Sequence, residues 1–156
     1  MSNTAASADE LRDLYRELIL DHARSTRHFG KLEDATHSAS GINPLCGDKL
    51  KMYFRLDDDE KIADACFEGS GCAISVASAS LLTDTVIGMT LVEADSFFKA
   101  VTNSLTGRTQ RASVDLGKLR ALQGVKEFPS RVKCATLAWH AMSAALKQDE
   151  SPAKTE

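Results

Sequence analysis

Three cysteines and one aspartate are the residues of this chain whose types and spacing could hold a metal ion. Cys46 and Asp48 follow a proline turn with only Gly47 between them, Cys72 follows a Gly-Ser-Gly run, and Cys134 ends a basic stretch. Residues separated by one in an extended segment project to the same side, so Cys46 and Asp48 could face one ion. Thiolate and carboxylate groups suit tetrahedral zinc. The pattern predicts a four-ligand zinc site, and a metal-bound cysteine beside a replaceable carboxylate favours sulfur chemistry.

The predicted cluster has more negative than positive charge, because three thiolates and one carboxylate exceed the charge of a divalent ion. Such an excess is costly in a partly buried place unless cations lie nearby. Arg131 and Lys133 stand just before Cys134 and are the expected compensating charges. Thiolates also form more readily near a helix N-terminus. Cys72 and Cys134 are both predicted to lie at such a position.

The other cysteine and the histidines fit this pattern less well. Any single cysteine can be a small buried hydrophobic residue, and Cys66, inside a predicted strand without a neighbouring turn or cation, is assigned to structural burial. His140 lies six positions after Cys134, which turns it off the face of that cysteine on a helix. We expect Trp139 to belong to the core, and we leave all four histidines out of the site: His22, His28, His37 and His140.

Length and composition fit one globular domain. The chain has 156 residues, of which 43% are hydrophobic and 26% charged, and its net charge of −3 argues against binding to nucleic acid. No secretion signal or membrane-spanning stretch is evident, so we expect a cytoplasmic protein whose cysteines are not in disulfides. The expected organisation is a flexible segment over 1–9, a single domain over 10–147 and a disordered tail over 148–156.

Hydrophobic periodicity predicts an α+β fold. Helical spacing marks a helix over 10–24 and another that begins with a capping box at Thr90 and Glu93. Alternating residues predict a strand hairpin, with a short strand before it. The expected strands are 36–43, 50–56 and 61–68, the further helices are 73–87, 113–123 and 129–147, and a loop covers 105–112. We therefore expect a small three-stranded antiparallel sheet with helices on one face and the cluster exposed at one end.

The hairpin also predicts which residues lie opposite each other. If its turn is centred between residues 57 and 60, the numbers of facing residues sum to about 117. Cys46 would then lie opposite Gly71 and beside Cys72. Local strand pairing is thus expected to bring two of the cysteines together.

The cysteine motifs carry a family resemblance that covers nearly the whole chain. The segments 43–48, 67–80 and 131–137, together with the first helix at 14–22, resemble the SufU branch of the IscU/NifU N-terminal family. IscU-type members generally have a histidine immediately before the third cysteine, whereas this chain has Lys133, whose ammonium has no lone pair for a metal. The 62 positions between Cys72 and Cys134 accommodate an extra segment around 105–126 that resembles the SufU insertion.

The resemblance implies a zinc-dependent sulfur acceptor. Such a sulfurtransferase would take persulfide sulfur from a SufS-type cysteine desulfurase, which depends on pyridoxal phosphate, and pass it to a SufBCD-type scaffold for iron-sulfur cluster assembly. By match of the motif, Cys46 is the acceptor. Asp48 would complete the ligand set and tune how easily the ion releases Cys46. The candidate catalytic residues are Cys46, Asp48 and Arg131, and the candidate zinc ligands are Cys46, Asp48, Cys72 and Cys134.

Two other functions use the same residues. An assembly scaffold would hold a transient iron-sulfur cluster on the same cysteines, and Lys133 makes this less favoured. An interaction module would hold a purely structural zinc ion with four closed, inert ligands. A metallohydrolase is poorly supported, because it needs an open position for water and a general base.

Overall fold

A sheet of three antiparallel strands forms the centre of the protein. The computed structural model describes residues 8–106, 115–126, 128–148 and 153–154. The strands run in the order β3-β2-β1 and are β1 (His37–Asn43), β2 (Asp48–Leu56) and β3 (Ile62–Ser70). The helices are α1 (Ala8–Arg24), α2 (Ala73–Val86), α3 (Leu91–Thr106), a 3₁₀ helix (Gly117–Val125) and α4 (Pro129–Leu146). The predicted α+β architecture is confirmed.

The β2-β3 hairpin has a longer turn than we expected. Lys49 pairs with Ser70, so the numbers of facing residues sum to 119 along most of the ladder rather than 117. The Asp57 carboxylate accepts the backbone N–H groups of Asp59 and Lys61, which extends the turn to Lys61. An irregularity in the pairing between Arg55 and Leu56 shifts the register again. The predicted position of Cys46 opposite Gly71 is therefore wrong, since Cys46 lies before β2 begins.

One face of the sheet is covered by helices. In β2 the residues that alternate toward the helices are buried, including Leu50, Met52 and Phe54, while Lys49 and Lys51 on the other face are exposed. Helix α4 packs over β1 and β2, and α2 packs against β3. This alternation is the period-two pattern of a half-buried strand.

Gly41 in β1 allows α4 to approach the sheet closely. A Cβ at this position would lie 3.1 Å from Leu137 Cδ1 and 3.3 Å from Ala141 Cβ. Both of those residues are fully buried on α4. The close approach matters for the site because α4 also carries Cys134.

Helix α2 is buried on most sides, as its composition predicted. Trp139 of α4 donates its indole N–H to Ser78 Oγ at 3.2 Å, and the Ser78 hydroxyl donates to the Ala135 carbonyl at 2.5 Å. These bonds satisfy the polar groups at the fully buried contact between α2 and α4. None of the helices in the described ranges is both long and apolar enough to cross a membrane.

The start of α3 follows its sequence signal. The Glu93 backbone N–H donates to Thr90 Oγ1 at 3.2 Å, and the Thr90 N–H donates to Glu93 Oε1 at 3.1 Å. The predicted capping box is confirmed. The loop predicted at 105–112 lies, beyond residue 106, outside the described residues.

The short helix predicted over 113–123 is a 3₁₀ helix that starts later. Asp115 Oδ1 accepts the N–H of Gly117 at 3.0 Å, and Gly117 has a left-handed φ of +54°. This turn places the helix start at Gly117 rather than at residue 113, and residues 113–114 are outside the described ranges.

Both terminal segments, predicted to lack regular structure, contain residues that the structure places in a helix or a strand. Helix α1 begins at Ala8, inside the segment that we expected to be flexible, while residues 1–7 are outside the described ranges. In the tail expected to be disordered, Ala153 and Lys154 form a fourth strand, β4, which pairs in parallel with Gly41 and Ile42 of β1. The strand order is therefore β3-β2-β1-β4. Backbone pairing with the open edge of β1 explains why these two polar-tail residues are extended.

His22 of α1 is a buried histidine held neutral by its surroundings. It is 1% exposed, and its Nδ1 lies 2.7 Å from Ser80 Oγ. Ser80 Oγ already accepts the Arg27 backbone N–H at 2.9 Å, so its own hydrogen can be donated to His22. Burial lowers the pKa of His22, and the charges of Arg27 and Lys118 lower it further, against the opposite effect of Asp21 and Asp84.

We expect this histidine to make the fold sensitive to acid. As the pH falls below the ordinary pKa of 6.5, the unfolded chain binds a proton at His22 that the folded protein resists, so the free energy of unfolding decreases. Urea unfolding between about pH 7.5 and pH 5 should show a smaller decrease for His22→Gln than for the wild type. Equal decreases in the two proteins would contradict this role for His22.

Candidate metal centre

The turn between β1 and β2 presents Cys46 at one end of the sheet. Residues 44–47 form this turn, and it is closed by the Cys46 N–H, which donates to the Asn43 carbonyl at 3.2 Å. Gly47 has a φ of +71°, a left-handed conformation that glycine adopts without strain. Cys46 is exposed, whereas Asp48, the first residue of β2, is only 1% exposed. The turn therefore places a free thiol at the surface directly above a buried carboxylate.

Helix α4 adds a second thiol from the other side. The ligand atoms of Cys46, Asp48 and Cys134 all lie within 4.8 Å of one another. Cys134 is fully buried, and its Sγ lies 3.4 Å from Cys46 Sγ. Residues that are 88 positions apart in sequence are thus brought into contact.

Cys72 lies at the edge of this group. It is the N-cap residue of α2, and its backbone N–H donates to Asp48 Oδ1 at 2.8 Å. Its sulfur is not among the donor atoms that lie within 4.8 Å of one another, although it is close enough to Cys134 to contribute to the raised pKa of that thiol. The structure therefore brings three of the four predicted ligands together and places the fourth beside them.

The position predicted for Cys134 at a helix N-terminus is wrong. Because α4 begins at Pro129, Cys134 lies in its second turn, where the helix dipole has little effect. Burial instead raises the pKa of the Cys134 thiol, and hydrogen bonds with Cys46, Cys72 and Asp48 raise it further. Without a cation, this site favours the protonated thiol.

Asp48 is held by neutral hydrogen-bond donors. Besides the Cys72 N–H, its Oδ2 accepts the side-chain amide of Asn43 at 3.3 Å, and the same amide lies 3.6 Å from Cys134 Sγ. Sequence reasoning missed Asn43. Its place two residues after buried Gly41 in β1 was the available signal, because alternation turns Asn43 toward the core.

Arg131 does not contact the cluster through hydrogen bonds or ion pairs within the described part of the chain. It lies exposed in the first turn of α4, and Lys133 is partly buried two residues later. Both cations are near Cys134 in sequence. The predicted role of Arg131 in catalysis is therefore without a direct contact to support it and stays a prediction.

The other cysteine and two of the histidines lie in surroundings of their own. Cys66 pairs with Tyr53 inside the sheet, where burial raises the pKa of its thiol. His140 contacts Phe98 edge to face with ring centroids 5.2 Å apart, and His22 is bonded to Ser80. None of the three is in the metal-ligand group found among the described residues.

Comparison with known proteins identifies the family. The profile of the NifU-like N-terminal domain matches residues 14–135, a span that includes all four predicted ligands. This chain belongs to the NifU-like N-terminal domain family. The region that matches therefore contains all three cysteine motifs.

Similar curated proteins of this family have two kinds of name. The chain is 41% identical over 140 residues to the zinc-dependent sulfurtransferase SufU of Bacillus subtilis, covering 90% of this chain and 94% of that protein. It is 39% identical over 139 residues to the iron-sulfur cluster assembly scaffold protein IscU of Streptococcus pyogenes, covering 89% and 86%. The two identities are too close for similarity alone to choose between the names.

A solved structure shows the same fold. The SufU protein of Fervidobacterium islandicum, described as an iron-sulfur cluster assembly scaffold protein for the SUF system, matches with a TM-score of 0.78 and 38% identity, over 83% of this chain and 94% of that one. A NifU-like N-terminal protein from Brucella abortus also reaches a TM-score of 0.78, at 23% identity. The likeness to a NifU-like domain thus extends to the three-dimensional fold.

The donor set fits zinc. Sulfur and carboxylate oxygen are both zinc ligands, and three donor atoms, two of them from buried residues, already lie within 4.8 Å of one another. Bound zinc would also reverse the preference of Cys134 for its protonated form, because a coordinating thiol is deprotonated. A buried carboxylate beside two thiols is an arrangement that a cation would stabilise.

We expect Gly71 to be essential for this geometry. A Cβ at Gly71 would lie 2.7 Å from Asp48 Oδ1, so Gly71→Ala must displace the carboxylate. Displacement should weaken zinc binding by about tenfold or more, measured by competition with a chromophoric chelator. Gly124→Ala is the matched control, since nothing lies within 4 Å of its added methyl group. Equal zinc affinities in the two variants would show that the Asp48 position is unimportant for the metal.

Proposed function

We propose that this protein is a zinc-dependent sulfur acceptor for iron-sulfur cluster assembly. Its donor would be the persulfide of a SufS-type, pyridoxal-phosphate-dependent cysteine desulfurase in the cytoplasm, and its product would go to a SufBCD-type scaffold. The family membership and the name of the Bacillus subtilis relative support this proposal. Residues Cys46, Asp48, Cys72 and Cys134 would hold the ion.

The observation that carries the proposal is the contrast between an exposed and a buried thiol at one site. Cys46 is exposed on a turn, while Cys134 is 0% exposed and Asp48 is 1% exposed, and the ligand atoms of all three lie within 4.8 Å of one another. A closed structural zinc site has no need to present one of its ligands to a partner. The geometry therefore suits a reaction in which Cys46 alone meets another protein.

The transfer is a thiol-disulfide type of exchange. The Cys46 thiolate attacks the terminal sulfur of the donor persulfide, so a sulfur-sulfur bond forms at Cys46 and the sulfur-sulfur bond of the donor breaks. The donor cysteine leaves as a thiolate, and the transferred sulfur keeps its proton. No external oxidant or reductant is needed. When bound, zinc would supply the means of keeping Cys46 deprotonated at neutral pH.

The neighbouring residues would set how readily Cys46 reacts. Asp48 is anchored by the Cys72 N–H at 2.8 Å and by Asn43 at 3.3 Å, so it stays in place when the surface turn moves. Gly47 allows that movement because it has no side chain. Arg131, exposed on the first turn of α4, would provide positive charge that stabilises the departing donor thiolate.

The scaffold function remains the second candidate because relatives with that name are similar at 39% identity. The same cysteines would then bind a transient cluster. Lys133, directly before Cys134, favours the sulfur acceptor, since its ammonium offers no lone pair to iron. A carboxylate as the fourth donor is also ordinary for zinc, whereas cysteine thiolates are the usual ligands of clusters.

Replacing Cys46 should abolish sulfur acceptance. After incubation with the desulfurase and cysteine, intact mass analysis should show one added sulfur on the wild type and none on Cys46→Ala, and peptide mapping should place it on Cys46. Cys66→Ala is the control, because this cysteine lies away from the cluster within the sheet. Added sulfur on Cys46→Ala, with faster desulfurase turnover, would disprove the assignment.

The bound metal should distinguish the sulfur acceptor from the scaffold. We expect the purified protein to contain one tightly held zinc ion that resists replacement during anaerobic incubation with iron and sulfide. Chelation should remove sulfur acceptance while circular dichroism shows retained helices, since the buried core does not depend on the metal site. A stable, transferable cluster at full stoichiometry would favour the scaffold, and unfolding on chelation without sulfur acceptance at Cys46 would favour a structural zinc ion.

A further inference from the structure

We propose that Asn43 is a positioning residue for the metal centre, holding Asp48 and Cys134 in place through its side-chain amide. This inference rests on the metal-binding part of the proposed function and does not require sulfur transfer. Asn43 is the last residue of β1 and is 0% exposed. Its position at the strand end, opposite Asp48 in the β1-β2 pairing, puts it directly beside the cluster.

The amide nitrogen of Asn43 contacts two of the candidate ligands. Nδ2 lies 3.3 Å from Asp48 Oδ2 and 3.6 Å from Cys134 Sγ, a distance suited to the larger radius of sulfur. An amide has two N–H donors, so it can serve the carboxylate and the sulfur at the same time. The amide therefore bridges a ligand on β2 and a ligand on α4.

The backbone of Asn43 contacts a third candidate ligand. Its carbonyl accepts the N–H of Cys46 at 3.2 Å, which closes the exposed turn. Asn43 thus touches the turn through its main chain and the two buried ligands through its side chain. When the Cys46 sulfur turns toward a partner, the side-chain bonds of Asn43 can keep Asp48 and Cys134 where they are.

A neutral donor suits this position better than a charged one. A lysine or arginine here would pair with Asp48 and replace the need for a metal cation. An aspartate would place another negative charge beside a carboxylate and a thiol. An amide donates hydrogen bonds to both groups without neutralising them, so the site keeps its attraction for a divalent ion.

The Asn43 amide contacts the cluster through its nitrogen and not through its oxygen. Asn43 Oδ1 is buried and has no hydrogen-bond partner among the described residues. Burying an acceptor without a hydrogen bond lowers the stability of a protein. An apolar residue of similar size would avoid this cost. The amide is therefore best explained by what its nitrogen does at the cluster.

Two variants of Asn43 distinguish the effect of its hydrogen bonds from the effect of its side-chain volume. Asn43→Leu keeps bulk and removes the donors, whereas Asn43→Ala removes both. We expect each variant to bind zinc about tenfold to a hundredfold more weakly than the wild type in chelator competition, as for other residues that orient metal ligands. Thr83→Val is the matched control, because Thr83 is a fully buried polar residue whose hydroxyl donates to Ser80 O, away from the cluster. It should bind zinc like the wild type.

Cobalt substitution gives a signature that a merely structural role would not change. A thiolate that loses a hydrogen bond gives up electron density more easily, so the sulfur-to-cobalt charge-transfer band of Asn43→Leu should move to longer wavelength. Circular dichroism at the same temperature reports whether each variant is folded. If Asn43→Leu does not fold, the cobalt band is measured on Asn43→Ala instead.

The proposal is overturned if a folded variant without the amide retains the zinc affinity and cobalt band of the wild type. It is also overturned if Asn43→Ala binds zinc weakly but Asn43→Leu binds normally, since bulk alone would then be sufficient. A wild type that binds zinc but accepts no sulfur would contradict the proposed function, and the comparison of Asn43 variants would still give its answer.

Discussion

The burial of one carboxylate is the constraint on which the rest of the site depends. Asp48 is 1% exposed and lies within 4.8 Å of two thiols, where an ionised group loses most of its hydration. Its hydrogen bonds come from a backbone N–H, from an amide and from the Cys134 thiol, all of them neutral donors. Neutral donors orient a carboxylate without cancelling its charge, and a divalent cation is the natural counterpart in the function that we propose.

The surrounding strands and helices position this carboxylate by ordinary packing. Alternation in β2 turns Asp48 toward the helices, and Gly41 lets α4 lie close to β1, so Cys134 reaches the same place. The N-cap of α2 supplies the N–H of Cys72. Three elements thus meet at one end of the sheet, and each is held there by a core that extends well beyond the site.

Periodicity in the sequence was enough to predict the strands, most helices and the α+β class, because burial on one face leaves a clear pattern in residues such as Leu50, Met52 and Phe54. It could not predict the register of the β2-β3 hairpin, which depends on hydrogen bonds from the Asp57 side chain within the turn. Cysteine spacing predicted which groups converge. It did not show that Asn43 joins them, because strand alternation turns this residue toward the core without indicating which groups it will contact there. The raised pKa of Cys134 also depends on tertiary burial, which a helix position alone does not reveal.

The separation of Cys46 and Cys134 along the chain has a consequence for folding. An ion bound to both would act as a cross-link that closes a loop of 88 residues. Such a link lowers the entropy of the unfolded ensemble, and the benefit grows with the logarithm of loop length. A single ion at this end of the sheet would therefore also join two distant parts of the polypeptide, and it would add to the stability of a core that is already formed without it.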